Sequence, residues 1–154
     1  MKSNLRKRLL AHIEANHPEL ICRQSIEYSI NDYLNDKIQM IEPLIAGYKD
    51  NGLTLTEIEK LCFNELIKVL GPSKAKYIQS LLQSDFHEDY DRFVALGVLK
   101  YELVNMVELC LETFEVFDFN DRNKEDHFLR NAVIAVIHAY LIDFTRKQTV
   151  KDTE

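Results

Sequence analysis

The chain has 154 residues, of which 46% are hydrophobic and 29% are charged, and it contains only four glycines and three prolines. This composition excludes disordered and fibrous proteins, and so few glycines and prolines leave little room for the turns of a many-stranded fold. The net charge of −6 argues against non-specific binding to duplex DNA, because that binding requires an excess of lysine and arginine. We expect one domain over residues 1–154, with an ordered core at about 3–146 and a flexible tail at 147–154.

The N-terminal third of the chain predicts two helices. Apolar residues at helical spacing over 3–16 indicate a first helix, with Ser3 as its N-cap and His17-Pro18 as its end. The apolar positions of residues 26–45 keep steps of three and four, which predicts a long second helix. Because proline lacks a backbone donor and clashes with the preceding turn, we expect this helix to kink or restart at Pro43.

The middle of the chain contains the clearest helix boundaries. Thr54-Leu55-Thr56-Glu57 fits a capping box, and Thr56 with Glu59 fits the same pattern two residues later. The third helix should run from there to Gly71-Pro72-Ser73, where it stops and Ser73 begins a fourth helix that reaches about Leu82.

The C-terminal half predicts two further helices. One runs from Tyr90 to Phe117 and contains Gly97, which should weaken it by about 1 kcal/mol relative to alanine. The last runs from Lys124 to about Arg146, with Asn123 as its cap. Since no segment alternates with a period of two residues, we predict an all-α fold, a compact bundle or orthogonal array of about six helices.

The segment Asn131–Ile142 has apolar side chains on every side of a helical wheel. About 12 residues are too few for a bilayer, which needs about 20, so we expect protein around this helix and no membrane. A central core position is favoured over a dimer seam, and a monomer over a homodimer. His138 should then be a hydrogen-bonded histidine of the core.

The cysteines and the N-terminus indicate the compartment. Cys22, Cys62 and Cys110 show no Cys-x-x-Cys spacing, so we interpret them as reduced thiols with the structural role that is usual for buried cysteines. The first 20 residues contain no continuous apolar region and no cleavage site of a signal peptide. We expect a cytoplasmic protein.

No motif predicts catalysis, a cofactor or a resident metal. Glu14-Ala15-Asn16-His17 is an isolated Glu-x-x-His pair at a helix end, and the Asp118–Asn123 loop lacks the glycine and the final glutamate of a calcium loop. The acidic run Asp85–Asp91 could bind a hard cation, but acids are also common at a solvated helix start. We therefore expect a non-enzymatic protein that acts through contacts with other proteins.

Two surfaces are candidates for such contacts. The first, which we call the acidic stripe, follows one side of the helix predicted at residues 90–117, and it comprises Glu102, Asn105, Glu108, Glu112 and Glu115. Like charges at this spacing repel one another by a few tenths of a kcal/mol per pair. The stripe is a solvated face, is neutralised by the basic residues near the N-terminus, or binds a basic partner protein.

The second candidate belongs to an alternative function, a small nucleic-acid-associated regulator. Residues 54–83 resemble a helix-turn-helix in outline. The contacts to nucleic acid would come from five basic residues, Arg6, Lys7, Arg8, Lys74 and Lys76.

Four short segments also carry a resemblance to a known family. These segments are His17-Pro18-Glu19-Leu20, Asn51-Gly52, Leu70-Gly71-Pro72-Ser73 and Asn131-Ala132-Val133-Ile134. In this order they resemble a family of small uncharacterised all-helical proteins, a domain of unknown function, from gut anaerobic bacteria and often encoded near mobile elements. The resemblance implies an all-helical protein and assigns no activity, cofactor or site residue.

Overall fold

The computed structural model describes residues 1–22 and 29–153, with side chains up to residue 147. These ranges contain eight helices and no strand. The all-α class is confirmed, whereas the expected number of about six helices is wrong. The helices are α1 (Lys2–Asn16), α2 (Pro18–Cys22), α3 (Ile30–Asp50), α4 (Leu55–Leu70), α5 (Lys74–Asp85), α6 (His87–Leu96), α7 (Leu99–Val116) and α8 (His127–Thr153).

Gly97 divides the long helix that the sequence predicts at residues 90–117 into α6 and α7. Its φ of +72° is left-handed, a conformation that glycine adopts without a steric penalty. The Val98 N–H bonds to the Phe93 carbonyl and the Gly97 N–H bonds to the Val94 carbonyl, which closes the last turn of α6. Gly97 therefore ends a helix instead of weakening one.

The long second helix of the prediction corresponds to α3. α3 begins after Ser29, whose hydroxyl accepts the Asp32 N–H at 3.2 Å while the Asp32 carboxylate accepts the Ser29 N–H at 3.1 Å. This is a second capping box in the chain. The expected helix start at Ile26 lies outside the described residues. α3 is continuous through the exposed Pro43, so the expected restart does not occur.

The other boundaries differ by a few residues. Ser3 lies inside α1 and does not cap it. α8 begins three residues later than predicted, because the side chain that accepts an N–H group of its first turn is Asp126 and not Asn123. The Asp126 carboxylate accepts the Leu129 N–H at 3.3 Å. The Asn123 amide donates to loop carbonyls instead. α8 also continues beyond Arg146, and the flexibility of residues 147–154 stays a prediction.

The chain forms two compact units, Met1–Ser73 and Lys74–Glu154, which we call unit 1 and unit 2. In unit 1, α1, α3 and α4 pack against one another and α2 packs on α1. The predicted capping box of Thr54 and Glu57 is confirmed and starts α4. The core of unit 1 is aliphatic apart from one thiol, and it consists of Leu5, Leu9, Ile13, Leu34, Ile38, Ile41, Ile45, Ile58, Cys62 and Leu66.

In unit 2, α7 packs against α5, α6 and α8. Its core includes the large aromatic side chains of Phe93 and Phe114. The rings of Tyr77 and Phe119 lie 5.7 and 4.7 Å from that of Phe114. The aromatic contacts fill the space between α5, α7 and the loop that follows α7, so α7 is held from several sides.

α8 fully buries one stripe of side chains, and its other described side chains are half-buried or exposed. The buried residues are Leu129, Val133, Ile137 and Leu141, at steps of four. Ile142 is 45% exposed, so the expectation that the apolar segment 131–142 is surrounded by protein is wrong. The packing of α8 in unit 2 fully buries one stripe, and four further side chains are partly buried against the same core, namely Ile134, Val136, Tyr140 and Phe144.

The position of His138 also follows from the packing of α8. It is exposed, and its ring stacks on that of Phe86 at a centroid distance of 6.3 Å, so the expected core histidine is wrong. α8 also weakens the earlier argument from length, because His127–Lys147 is long and apolar enough to cross a membrane by length and composition. That test is weak by itself, since a core helix passes it as well. The expectation of no membrane stays a prediction.

Candidate functional site

The structure divides the acidic stripe into an internal and an exposed part. Glu102 is 6% exposed, and its carboxylate accepts a hydrogen bond from the hydroxyl of Tyr140 on α8. The Asn105 amide donates to the same hydroxyl oxygen at 3.4 Å. The pKa of Tyr140 is raised to about 12, mainly by burial and secondly by the hydrogen bond to Glu102. Glu102 and Asn105 therefore join α7 to α8 and do not belong to an exposed surface.

The exposed part of the stripe lies beside exposed apolar side chains. Glu108, Glu112 and Glu115 are exposed, and so are Tyr101, Leu109 and Val116, with exposed fractions of 67%, 53% and 75%. At 3.6 residues per turn these six positions span about 120° of the helix circumference. We call them the acidic-apolar face of α7.

The charge of the acidic-apolar face is not compensated in the described part of the chain. The ion pairs of unit 2 use other acids, namely Asp85, Asp89, Asp121 and Asp143. Glu112 and Glu115 also lie near the C-terminal end of α7, where the partial negative charge of the helix dipole disfavours acids. A cationic group from elsewhere would therefore be stabilised at this end of the face.

Two of the basic residues near the N-terminus make contacts inside unit 1. Arg6 donates to the Asn31 side-chain oxygen at 2.8 Å. Arg8 lies 3.4 Å from the Glu59 carboxylate and stacks over the Phe63 ring, 4.1 Å from its centroid. Both arginines thus bind within unit 1, and neutralisation of the stripe by this cluster, one of the three alternatives given above, stays a hypothesis. Lys7 is exposed.

The helix-turn-helix prediction for residues 54–83 extends over both units. α4 packs with α1 and α3 in unit 1, whereas α5 packs with α6 and α7 in unit 2. Lys74 is half-buried at the start of α5, and Lys76 is exposed. Since the motif requires its two helices in one packed body, the division offers it no support. The nucleic-acid alternative stays a prediction.

The acidic run Asp85–Asp91 is engaged in ion pairs at two positions. The carboxylate of Asp85 lies 2.7 Å from the guanidinium of Arg130, and Asp89 pairs with Arg92. Among the described residues no group of three or more histidine, cysteine and acidic side chains is arranged to hold a metal ion.

A buried His17–Glu19 pair lies at the junction of α1 and α2. Both side chains are 4% exposed, and Nδ1 of His17 lies 3.7 Å from Oε1 of Glu19. Nε2 of His17 and Oε2 of Glu19 have no hydrogen-bond partner in the described part of the chain. A substrate cannot reach groups so deeply buried. The sequence analysis missed this pair, although a histidine and a glutamate that flank a proline at a helix boundary mark it.

The thiols differ in exposure. Burial raises the pKa of Cys110 to about 12. The pKa of Cys62 is also raised, mainly by burial and to a smaller extent by the negative charge of Glu65. Both thiols are buried, which confirms the location predicted for them, and a raised pKa disfavours the reactive thiolate. Cys22 is exposed, so the structural role expected for it is wrong.

Comparison with known proteins finds no matching family model, no matching curated protein and no matching solved structure. The resemblance to small all-helical proteins of gut anaerobes stays a prediction from the sequence. The function must therefore be argued from the surfaces of the molecule.

Proposed function

We propose that this protein is a non-enzymatic interaction module, and that the acidic-apolar face of α7 binds a basic amphipathic helix of a partner protein. The observation that carries the proposal is the presence, on one exposed helix face, of three apolar side chains beside three glutamates without ion pairs among the described residues. The partner shares the compartment of this protein, which the sequence predicts to be the cytoplasm.

The two kinds of side chain would contribute differently to binding. Tyr101, Leu109 and Val116 expose apolar surface that a partner helix would remove from water, which supplies most of the affinity. The glutamates would attract lysine and arginine side chains that flank the apolar stripe of the partner, which supplies orientation and selectivity. The face from Tyr101 to Val116 is about 22 Å long, at 1.5 Å per residue, so it accommodates about four turns of a helix.

The position of α7 supports the proposal. Its opposite side is buried in the core of unit 2, and the Glu102–Tyr140 hydrogen bond joins it to α8. The acidic-apolar face is therefore presented by a rigid helix, which reduces the conformational entropy lost on binding.

The test uses a fluorescein-labelled 18-residue peptide of lysine and leucine with an amphipathic helical pattern, and fluorescence anisotropy as the readout. We expect Leu109→Asp, and the triple change of Glu108, Glu112 and Glu115 to glutamine, each to weaken binding about tenfold or more. The matched controls lie on α6, where Val94→Asp changes another exposed apolar residue, and the combined change of Glu88→Gln, Asp89→Asn and Asp91→Asn removes three other acids. Both controls should bind as the unchanged protein does.

Two results would contradict the proposal. One is an equal loss of affinity in the α6 controls, which would show binding by net charge alone. The other is equal binding of a peptide with the same composition in scrambled order, which cannot form an apolar stripe. Once the face is established, a pull-down from the native host with the Leu109→Asp and Val94→Asp variants would identify the partner that only the first variant loses.

A further inference from the structure

A partly open cavity of about 340 Å³ lies in unit 2, between the start of α6 and the C-terminal half of α8. This volume falls in the range of sites for small molecules, which begins at about 300 Å³. The cavity is formed by helices other than α7, so a ligand there would be separate from the partner proposed above.

One side of the cavity is apolar. It is formed by Phe86, Leu141 and Ile142. The imidazole of His138 lies nearly parallel to the Phe86 ring, with 23° between the two planes. A flat or short aliphatic group would find an aromatic wall and two aliphatic side chains there.

The polar side chains of the cavity favour an anion. Asp89 is its acid, and its charge is compensated by the ion pair with Arg92. Arg146 is the positively charged side chain that lines the cavity, and in the described part of the chain it makes no ion pair. His138 adds a ring nitrogen that can donate a hydrogen bond. Because a guanidinium binds a carboxylate through two parallel hydrogen bonds, the part of the cavity beside Arg146 suits a carboxylate.

We propose that the cavity binds a small organic carboxylate whose body is aromatic or short and aliphatic. The body lies against Phe86, Leu141 and Ile142, and the carboxylate accepts hydrogen bonds from the guanidinium of Arg146. The distribution of charge sets the class of ligand, since a neutral molecule would leave the Arg146 charge unused and a cation would be repelled by it.

Calorimetric titration with 4-phenylbutyrate tests this inference, with 4-phenylbutyramide as its neutral analogue and acetate as the anion without an apolar body. We expect saturable binding of 4-phenylbutyrate, and binding at least about tenfold weaker for both analogues. Arg146→Gln should weaken 4-phenylbutyrate about tenfold, and Ile142→Asp should abolish its binding by placing an anion on the apolar side. Both changed residues are exposed, so circular dichroism should show an unchanged fold.

The matched control is Lys147→Gln, which removes the next cation of α8, one that pairs with Asp143 outside the cavity. It should leave the affinity unchanged. The inference is overturned if 4-phenylbutyrate shows no saturable binding, if the neutral amide binds equally well, or if Arg146→Gln and Lys147→Gln have the same effect.

Discussion

The two compact units use their charged side chains in different ways. In unit 1, Arg6 and Arg8 bind to asparagine, glutamate and aromatic side chains of the same unit. In unit 2, the glutamates of the acidic-apolar face and Arg146 make no ion pair among the described residues. Surface groups that a fold leaves uncompensated are the ones available to other molecules. The two binding sites proposed above therefore both lie in unit 2.

The cores of the two units also differ, both in the side chains that fill them and in the caps of their helices. The core of unit 1 is built from leucine and isoleucine on α1, α3 and α4, with capping boxes at the starts of α3 and α4. The core of unit 2 depends on large aromatic rings around α7, and α6 and α7 start without a side-chain cap. Unit 1 thus has capping boxes on two of its helices, whereas the helix at the centre of unit 2, α7, has no such cap, is held by its packing and also presents the proposed binding face.

The largest expected effect is the loss of stability when a buried side chain is truncated in one of the two cores. Phe114→Ala removes a buried ring and should lower the stability of unit 2 by about 3–5 kcal/mol, while Ile58→Ala should lower that of unit 1 by about 2–5 kcal/mol. The readout is the rate of alkylation of the buried thiols, Cys110 for unit 2 and Cys62 for unit 1, in a Cys22→Ser background. Phe114→Ala should accelerate the reaction of Cys110. An equal acceleration at Cys62 would show that both units unfold together, as the single domain predicted from the sequence would.

An intermediate effect concerns the hydrogen bond between α7 and α8. Tyr140→Phe leaves the buried Glu102 carboxylate without its donor and should cost about 1–3 kcal/mol. Because the pKa of Tyr140 is raised from 10.0 to about 12, its contribution is complete below pH 10 and is lost as the pH rises to about 12.

Chemical denaturation of both proteins between pH 8 and pH 12 measures this effect. The stability difference between the original protein and Tyr140→Phe should shrink above pH 10. Cys110 titrates in the same range, but it is present in both proteins and cancels in the comparison. A difference that stays constant with pH would contradict the assigned hydrogen bond.

The smallest effect has opposite signs in the two units. Gly97 in unit 2 has a φ of +72°, so Gly97→Ala should destabilise by about 1–2 kcal/mol. Gly47 in unit 1 lies inside α3 with no atom near an added Cβ, so Gly47→Ala should stabilise by about 0.4–1 kcal/mol. Urea denaturation followed by circular dichroism measures both. Stabilisation by Gly97→Ala would indicate that α6 and α7 can form the continuous helix that the sequence pattern predicts.

The sequence determined the local structure where one short segment contains all the interacting groups. The capping box of Thr54 and Glu57, the end of α1 at His17 and the end of α4 at Gly71 follow from hydrogen bonds and backbone preferences within a few residues. The all-α class follows from the helical period of the apolar residues. Gly97 shows the limit of this reasoning, because the apolar period continues past it and hides the interruption.

Only the tertiary structure decided which side of each helix is buried. The acidic stripe has a uniform pattern in sequence, yet Glu102 is internal and Glu108 is exposed, because Tyr140 on α8 faces only the first part of α7. The segment 131–142 is apolar on all sides, so its sequence contains no information about which stripe packs on α7. That choice buries Val133 and Ile137 and leaves His138 beside the cavity, since only neighbouring helices distinguish the sides of a helix whose pattern does not.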